Sequence, residues 1–104
     1  MNKKSRDTLR QIIAAYRQQQ EKLKELEKTF DDLESRLERL ESDERFSLDN
    51  TPENLQYSLA YDERADKADM LTDIYASAIT VTSDCSDLIA KIQDLLDDSD
   101  DVLE

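Results

Sequence analysis

The 104-residue sequence contains no glycine, histidine or tryptophan, and only one proline and one cysteine. Without glycine there is no P-loop, dinucleotide-binding turn or EF-hand calcium loop. Without histidine there is no Ser-His triad and no Glu-x-x-His di-iron site. A zinc site needs more Cys or His ligands than Cys85 alone can supply. We therefore expect a chain that is not an enzyme and that binds no cofactor or metal.

Long apolar runs are also missing. No segment approaches the roughly 20 apolar residues that span a bilayer. The first residues, MNKKSRDTLRQ, lack the apolar core of a secretory signal. A single cysteine cannot form an intramolecular disulfide and fits a reducing compartment. The sequence thus predicts a cytoplasmic protein with no membrane contact.

Charged residues are abundant, and most of them are acidic. The chain has 14 basic and 26 acidic residues and a formal net charge of −12. Residues 1–41 carry a net charge of +1 and residues 42–104 one of −13. Such a surface repels nucleic acid and anionic membranes and attracts basic proteins. We expect a basic, nucleic-acid-binding protein as the partner and no direct nucleic-acid binding.

Apolar residues in the first half recur at spacings of three and four. This heptad pattern predicts a coiled-coil helix over about residues 6–44, with Ser5 as its N-cap. The predicted seam consists of Leu9, Ile12, Tyr16, Leu23, Leu26, Phe30, Leu33, Leu37 and Leu40.

The only proline lies in the stretch NTPENLQYS, residues 50–58. We interpret Thr51 as an N-cap and Pro52 as the first residue of a second helix, where its missing N–H costs nothing. This predicts a linker at 45–51, a second helix over about 52–97 and an acidic tail at 98–104. The predicted seam of the second helix, which places Cys85 in the core, consists of Leu71, Ile74, Ala78, Val81, Cys85, Leu88, Ile92, Leu95 and Val102. A stripe out of phase with it, indicating overwinding or a bend near residues 65–71, consists of Tyr57, Tyr61, Ala65 and Ala68.

These patterns predict one all-α domain over residues 1–104, with two long helices in an antiparallel coiled-coil hairpin. Charge supports this pairing, because residues 1–20 carry a net charge of +4 and residues 84–104 one of −7. The second helix has a wider apolar face than the first, which predicts a further neighbour. We expect a homodimer that forms a four-helix bundle. If the first helices of two copies meet, a parallel alignment places Lys22 and Arg36 near Glu27 and Glu41.

Aspartates in the second half form two rows that are candidate partner-binding sites. The first row steps by four, three and four residues along one helix face and consists of Asp62, Asp66, Asp69 and Asp73. The second begins with Asp84 and Asp87 and continues through Asp94, Asp98 and Asp101. Fixed anions at this spacing can imitate a nucleic-acid backbone in a basic groove. The alternative is that these rows are solvated faces that keep the protein soluble.

A second candidate site lies near the predicted hairpin tip. Tyr57 and Tyr61 form a patch there with Phe46, Leu48 and Leu55. Aromatic residues beside acidic ones are typical of interfaces. The alternative is that they close the end of the bundle.

The stretch TPENLQYS, with the polar helical segment after it, resembles a pattern in short proteins encoded by phages and mobile elements of Gram-positive bacteria. The resemblance covers about residues 50–97, and no functional residue can be transferred from it. It implies an anti-defence setting, which includes anti-CRISPR inhibitors acting in the host-cell cytoplasm.

Together these features favour an acidic protein-binding module, in the form of a phage-type inhibitor that blocks a basic nucleic-acid-binding surface by DNA mimicry. The alternative is a structural or adaptor coiled coil that acts through self-association or helix–helix contacts.

Overall fold

The computed structural model describes all 104 residues and contains two long α-helices. Helix α1 spans Lys3–Asp49 and helix α2 spans Leu59–Leu103, with one 3₁₀ turn, Glu53–Leu55, between them. The helices pack against each other in antiparallel directions, and the chain contains no strand. The predicted all-α hairpin is confirmed.

Helix α1 is longer than predicted at both ends. Its N-cap is Asn2 rather than Ser5, because Asn2 Oδ1 accepts the Ser5 N–H at 2.8 Å. At the other end Leu48 is buried, so the last turn of the helix is stabilised by packing. The predicted range of 6–44 is therefore too narrow.

Pro52 does not begin α2, and this prediction is wrong. Pro52 has an extended backbone (φ −54°, ψ 139°) and leads into the 3₁₀ turn. Ser58 caps α2 instead, because its Oγ accepts the Tyr61 N–H at 3.1 Å. The predicted cap, Thr51, donates its hydroxyl to the Ser47 carbonyl at 3.0 Å. Residues 50–58 thus form a connection, and α2 starts at Leu59.

We expect Ser58→Ala to lower the free energy of unfolding by about 1 kcal/mol, because it removes the cap of α2. Thr51→Ala is expected to cost less, since the Thr51 hydroxyl only bonds a carbonyl four residues earlier. Urea unfolding followed by circular dichroism compares the two. A larger loss for Thr51→Ala would show that the cap assignment is wrong.

Helix α2 is continuous through residues 65–71, where the phase of its apolar stripe changes. Ala68 is buried there against α1. The helix also continues past residue 97, because Leu103 packs against the apolar cluster of Ile13, Ile92 and Leu96. The predicted tail, 98–104, is therefore helical up to Leu103.

The hairpin contains two compact units. Unit 1 combines Met1–Thr29 with Ser83–Glu104, and unit 2 is Phe30–Thr82. In unit 1, Cys85 is buried and its Sγ donates to the Leu23 carbonyl at 3.6 Å, in line with its predicted core position. Arg17 and Asp100 form an ion pair at 3.2 Å between the basic start and the acidic end of the chain.

Unit 1 also contains a buried polar contact between the helices. Gln20 is 5% exposed, and its Nε2 donates to the Ile89 carbonyl at 3.3 Å and to Gln93 Oε1 at 3.0 Å. A buried polar side chain at a helix–helix contact favours one axial alignment, because other alignments leave its hydrogen bonds unmade.

In unit 2, Arg45 joins the two helices. Its Nη2 donates to Asp69 Oδ1 at 2.7 Å and to Thr72 Oγ1 at 2.8 Å, and its Nε lies 3.8 Å from Glu41 Oε1. The pKa of Arg45 is raised, chiefly by the hydrogen bond to Asp69.

The contact between the helices differs from the predicted seam. On α1 the predicted seam residues with 43–47% exposure form an outer row: Ile12, Leu26, Leu33 and Leu40. The residues next to them in sequence face α2 and form a contact row: Ile13, Gln20, Glu27, Glu34, Glu41 and Leu48. Helix α2 has the same arrangement, with an exposed outer row of Ile74, Val81, Leu88 and Val102. Its contact row consists of Tyr61, Ala68, Tyr75, Thr82, Ile89, Leu96 and Leu103.

Candidate protein-binding surfaces

The first surface is the acidic face of α2 in unit 2. All four predicted residues of its row, Asp62, Asp66, Asp69 and Asp73, are exposed. Asp69 is held by Arg45, whereas the other three form no ion pair within the chain. The row therefore offers three carboxylates that are free to bind a partner.

The predicted second row begins in unit 1. Asp84 and Asp87 are exposed there and form no ion pair with the chain's own cations. Since the two rows begin in different compact units, each is a separate candidate.

Helix α2 as a whole carries far more negative charge than its own chain neutralises. It contains twelve acidic and three basic residues, whereas α1 contains twelve acidic and eleven basic ones. Of the twelve acids of α2, only Asp69 and Asp100 lie within 4.0 Å of a basic nitrogen. This leaves α2 with a strong negative potential that favours a basic partner.

The spacing of the row can be compared with that of a nucleic-acid strand. Asp62 and Asp73 are separated by about 16 Å along the helix at 1.5 Å per residue. Asp69 is paired with Arg45, so the three free carboxylates give about one charge per 8 Å, against one phosphate per 3.4 Å along one DNA strand. The row is therefore a linear array of negative charges, as a phosphate strand is, at a lower charge density.

The second surface is the hairpin tip. Tyr57 is 86% and Phe46 is 71% exposed, so neither is packed into the single hairpin. Leu48 is buried and Tyr61 half-buried, which divides the predicted patch between surface and interior. Leu59, which was not part of the predicted patch, is also exposed and directly follows the stretch TPENLQYS. Large exposed aromatic side chains are typical anchors at protein interfaces.

The third surface is the apolar face of unit 2, which follows the two outer rows and includes the apolar residues beside them. Leu33, Leu37 and Leu40 line an open groove on α1, with Arg36 at its edge. A second groove on α2 is lined by Met70, Leu71 and Ile74, with Lys67 at its edge. The sequence predicts all five leucine and isoleucine residues of these grooves to lie in the interior of the hairpin.

No three Cys, Asp or Glu side chains are grouped to hold a metal ion. Burial raises the pKa of Tyr75, and the nearby carboxylates of Glu38, Glu34 and Glu41 add to this. Tyr75 therefore stays neutral in the contact between the helices. Neither helix has an apolar stretch long enough to cross a membrane.

No protein-family model, curated protein or solved structure matches this chain. The three surfaces are therefore the basis for a proposed function.

Proposed function

We propose that this chain is a non-enzymatic protein-binding module whose α2 occupies a basic, nucleic-acid-binding surface of another protein. The observation that carries this proposal is the unpaired charge of α2, where only two of twelve acidic residues have a cationic partner in the chain. A protein surface of opposite sign would supply the missing partners.

The row in unit 2 suits this role for three reasons. Asp62, Asp66 and Asp73 have short side chains, so a continuous helix fixes their carboxylates close to its backbone. They lie on one helix face and form a linear array of negative charges, as phosphates do along a strand. Tyr57, in the connection that precedes α2, adds an apolar anchor that a bare phosphate strand lacks.

The same chemistry suggests the class of protein that we propose as the partner. A surface that binds the acidic face of α2 has basic side chains arranged for phosphates, as in nucleases and other nucleic-acid-binding proteins. The resemblance of residues 50–97 to phage-encoded proteins favours a defence nuclease among these. Binding there would inhibit the nuclease by excluding its nucleic acid.

Competition with DNA tests this function. Proteins retained from a bacterial lysate by the immobilised chain are eluted with double-stranded DNA, with a neutral polymer, or with a salt gradient. We expect DNA and moderate salt to release them, because exposed charges are screened over about 8–10 Å near physiological ionic strength. Retained proteins that resist both DNA and salt would contradict the proposal.

A second candidate function is a structural or adaptor coiled coil. It is favoured by the outer rows, which expose leucine, isoleucine and valine at intervals of seven or fourteen residues on both helices. An adaptor of this kind would bind another helix through apolar contacts. Its binding would persist at high salt and in the presence of DNA, which distinguishes it from the first candidate.

A further inference from the structure

We infer that the apolar face of unit 2 is covered by a second copy of this chain, with α1 of each copy packed against α2 of the other. The inference is independent of the acidic-face function proposed above. For the adaptor alternative, it names the partner and the surface.

A third set of residues on each helix, the central row, lies between the contact row and the outer row. In α1 it consists of Leu9, Tyr16, Leu23, Phe30 and Leu37, and in α2 of Leu71, Ala78, Cys85, Ile92 and Ser99. Four positions after each central-row residue comes a contact-row residue. Three positions after each central-row residue comes an outer-row position. With 3.6 residues per turn, these lie about 40° to one side and about 60° to the other side of the central row.

Both outer rows lie on the same side of the helix pair. In unit 1 the central rows meet where Cys85 contacts Leu23, and the contact rows meet where Gln20 contacts Ile89. In unit 2 Glu41 of the α1 contact row bonds Thr72, on the contact-row side of α2. The central rows of the two helices face each other, and so do the contact rows. Because the outer row lies about 60° from the central row on both helices, the two outer rows form one apolar side of each unit, and the opposite side is polar.

The apolar stripe of α1 is centred away from α2. In unit 2 the contact row of α1 contains Glu34 and Glu41, whereas the exposed outer row contains Leu33 and Leu40. A two-helix protein that worked alone would have the reverse pattern. In a four-helix bundle, by contrast, central and outer rows form the core and contact rows lie at its flank.

The hairpin alone also has a small core. Six apolar residues are buried, and no side chain is less than 2% exposed. Chains with so little buried apolar surface gain stability by association.

Symmetry and charge favour a second copy as the partner and favour one orientation of the dimer over the other. A two-fold axis parallel to the helices places the outer row of each α1 on the outer row of the partner's α2, so both rows are covered at once. Each acidic α2 then has only α1 helices as neighbours, and these have nearly balanced charge. The other two-fold arrangement places α2 beside α2, where two helices with nine excess negative charges each would repel.

Sedimentation and light scattering on matched variants test this inference. We expect the unaltered chain to have twice the 12.1 kDa mass of one copy. Leu33→Glu with Leu40→Glu should halve the mass and retain helicity, since both side chains are already exposed in a single hairpin. The control, Ser35→Glu with Ser42→Glu, adds the same two charges at exposed positions off this face and should remain dimeric.

A monomeric unaltered chain, or a double leucine variant that remains dimeric, would overturn the inference. If the leucine variant loses helicity as well, the inference requires the unfolding midpoint of the unaltered chain to rise with protein concentration. A midpoint independent of concentration would then overturn it.

Disulfide trapping tests the orientation. In a Cys85→Ala background, Leu33→Cys is mixed with Ile74→Cys or with Val81→Cys and then oxidised. We expect disulfide-linked heterodimers in at least one mixture and no linked dimer from any single-cysteine chain alone. A dimer linked through Leu33→Cys alone would show that the α1 helices face each other and would overturn the orientation.

Discussion

Leu96→Asp is expected to unfold the hairpin. Leu96 is 2% exposed and packs with Ile13 and Ile92 in the apolar cluster of unit 1. An aspartate there loses this packing and buries a charge that has no partner. We expect a loss of about 4 kcal/mol or more, which is comparable to the whole stability of a small domain.

Helicity measured by circular dichroism checks this result. The control is Leu26→Asp, which introduces the same charge on α1 where the side chain is 47% exposed. That variant should keep the helices of the hairpin. A folded Leu96→Asp variant, or equal unfolding of both, would contradict the core described here.

The helices and their pairing could be predicted because composition and charge both determine them. A chain without glycine, rich in Glu, Lys, Arg, Gln and Leu, favours helix over long segments. The opposite charges of the two chain ends predicted the antiparallel pairing, and the Arg17–Asp100 ion pair lies where those ends meet.

The contact between the helices could not be predicted from the same pattern. Periodicity locates the apolar side of a helix but does not say which part of that side one neighbour covers. In α1 the neighbour covers Gln20 and Glu41 and leaves Leu26 and Leu40 exposed. The methylene groups of long polar side chains can pack beside apolar residues while their ends stay hydrated, so their polarity did not exclude these positions.

The ion pair of Asp69 was missed for a local reason. Arg45 was predicted to lie in the linker, and only the longer α1 places its side chain beside Asp69 and Thr72. The start of α2 was misplaced because Thr51 and Ser58 are both acceptable caps in sequence. The structure assigns that role to Ser58.

Reversing the charge of the free carboxylates in the first row is expected to abolish partner binding. The variant is Asp62→Lys, Asp66→Lys and Asp73→Lys, and it leaves the Arg45–Asp69 ion pair intact. If each lost ion pair and each new repulsion contributes about 0.5 kcal/mol, binding weakens by about 3 kcal/mol. That corresponds to more than about a hundredfold increase in Kd, because each 1.4 kcal/mol is a factor of ten.

A matched control separates the position of these charges from their number. Glu25→Lys, Asp31→Lys and Asp32→Lys change three exposed carboxylates of α1 that form no ion pair, so both variants have the same net charge. Binding of the DNA-displaced partner is measured by titration for both, with helicity as a check on folding. We expect the control to weaken binding only slightly, because exposed charges far from the contact are screened. Equal losses in both variants would mean that net charge alone attracts the partner, and retained binding in the α2 variant would contradict nucleic-acid mimicry by this row.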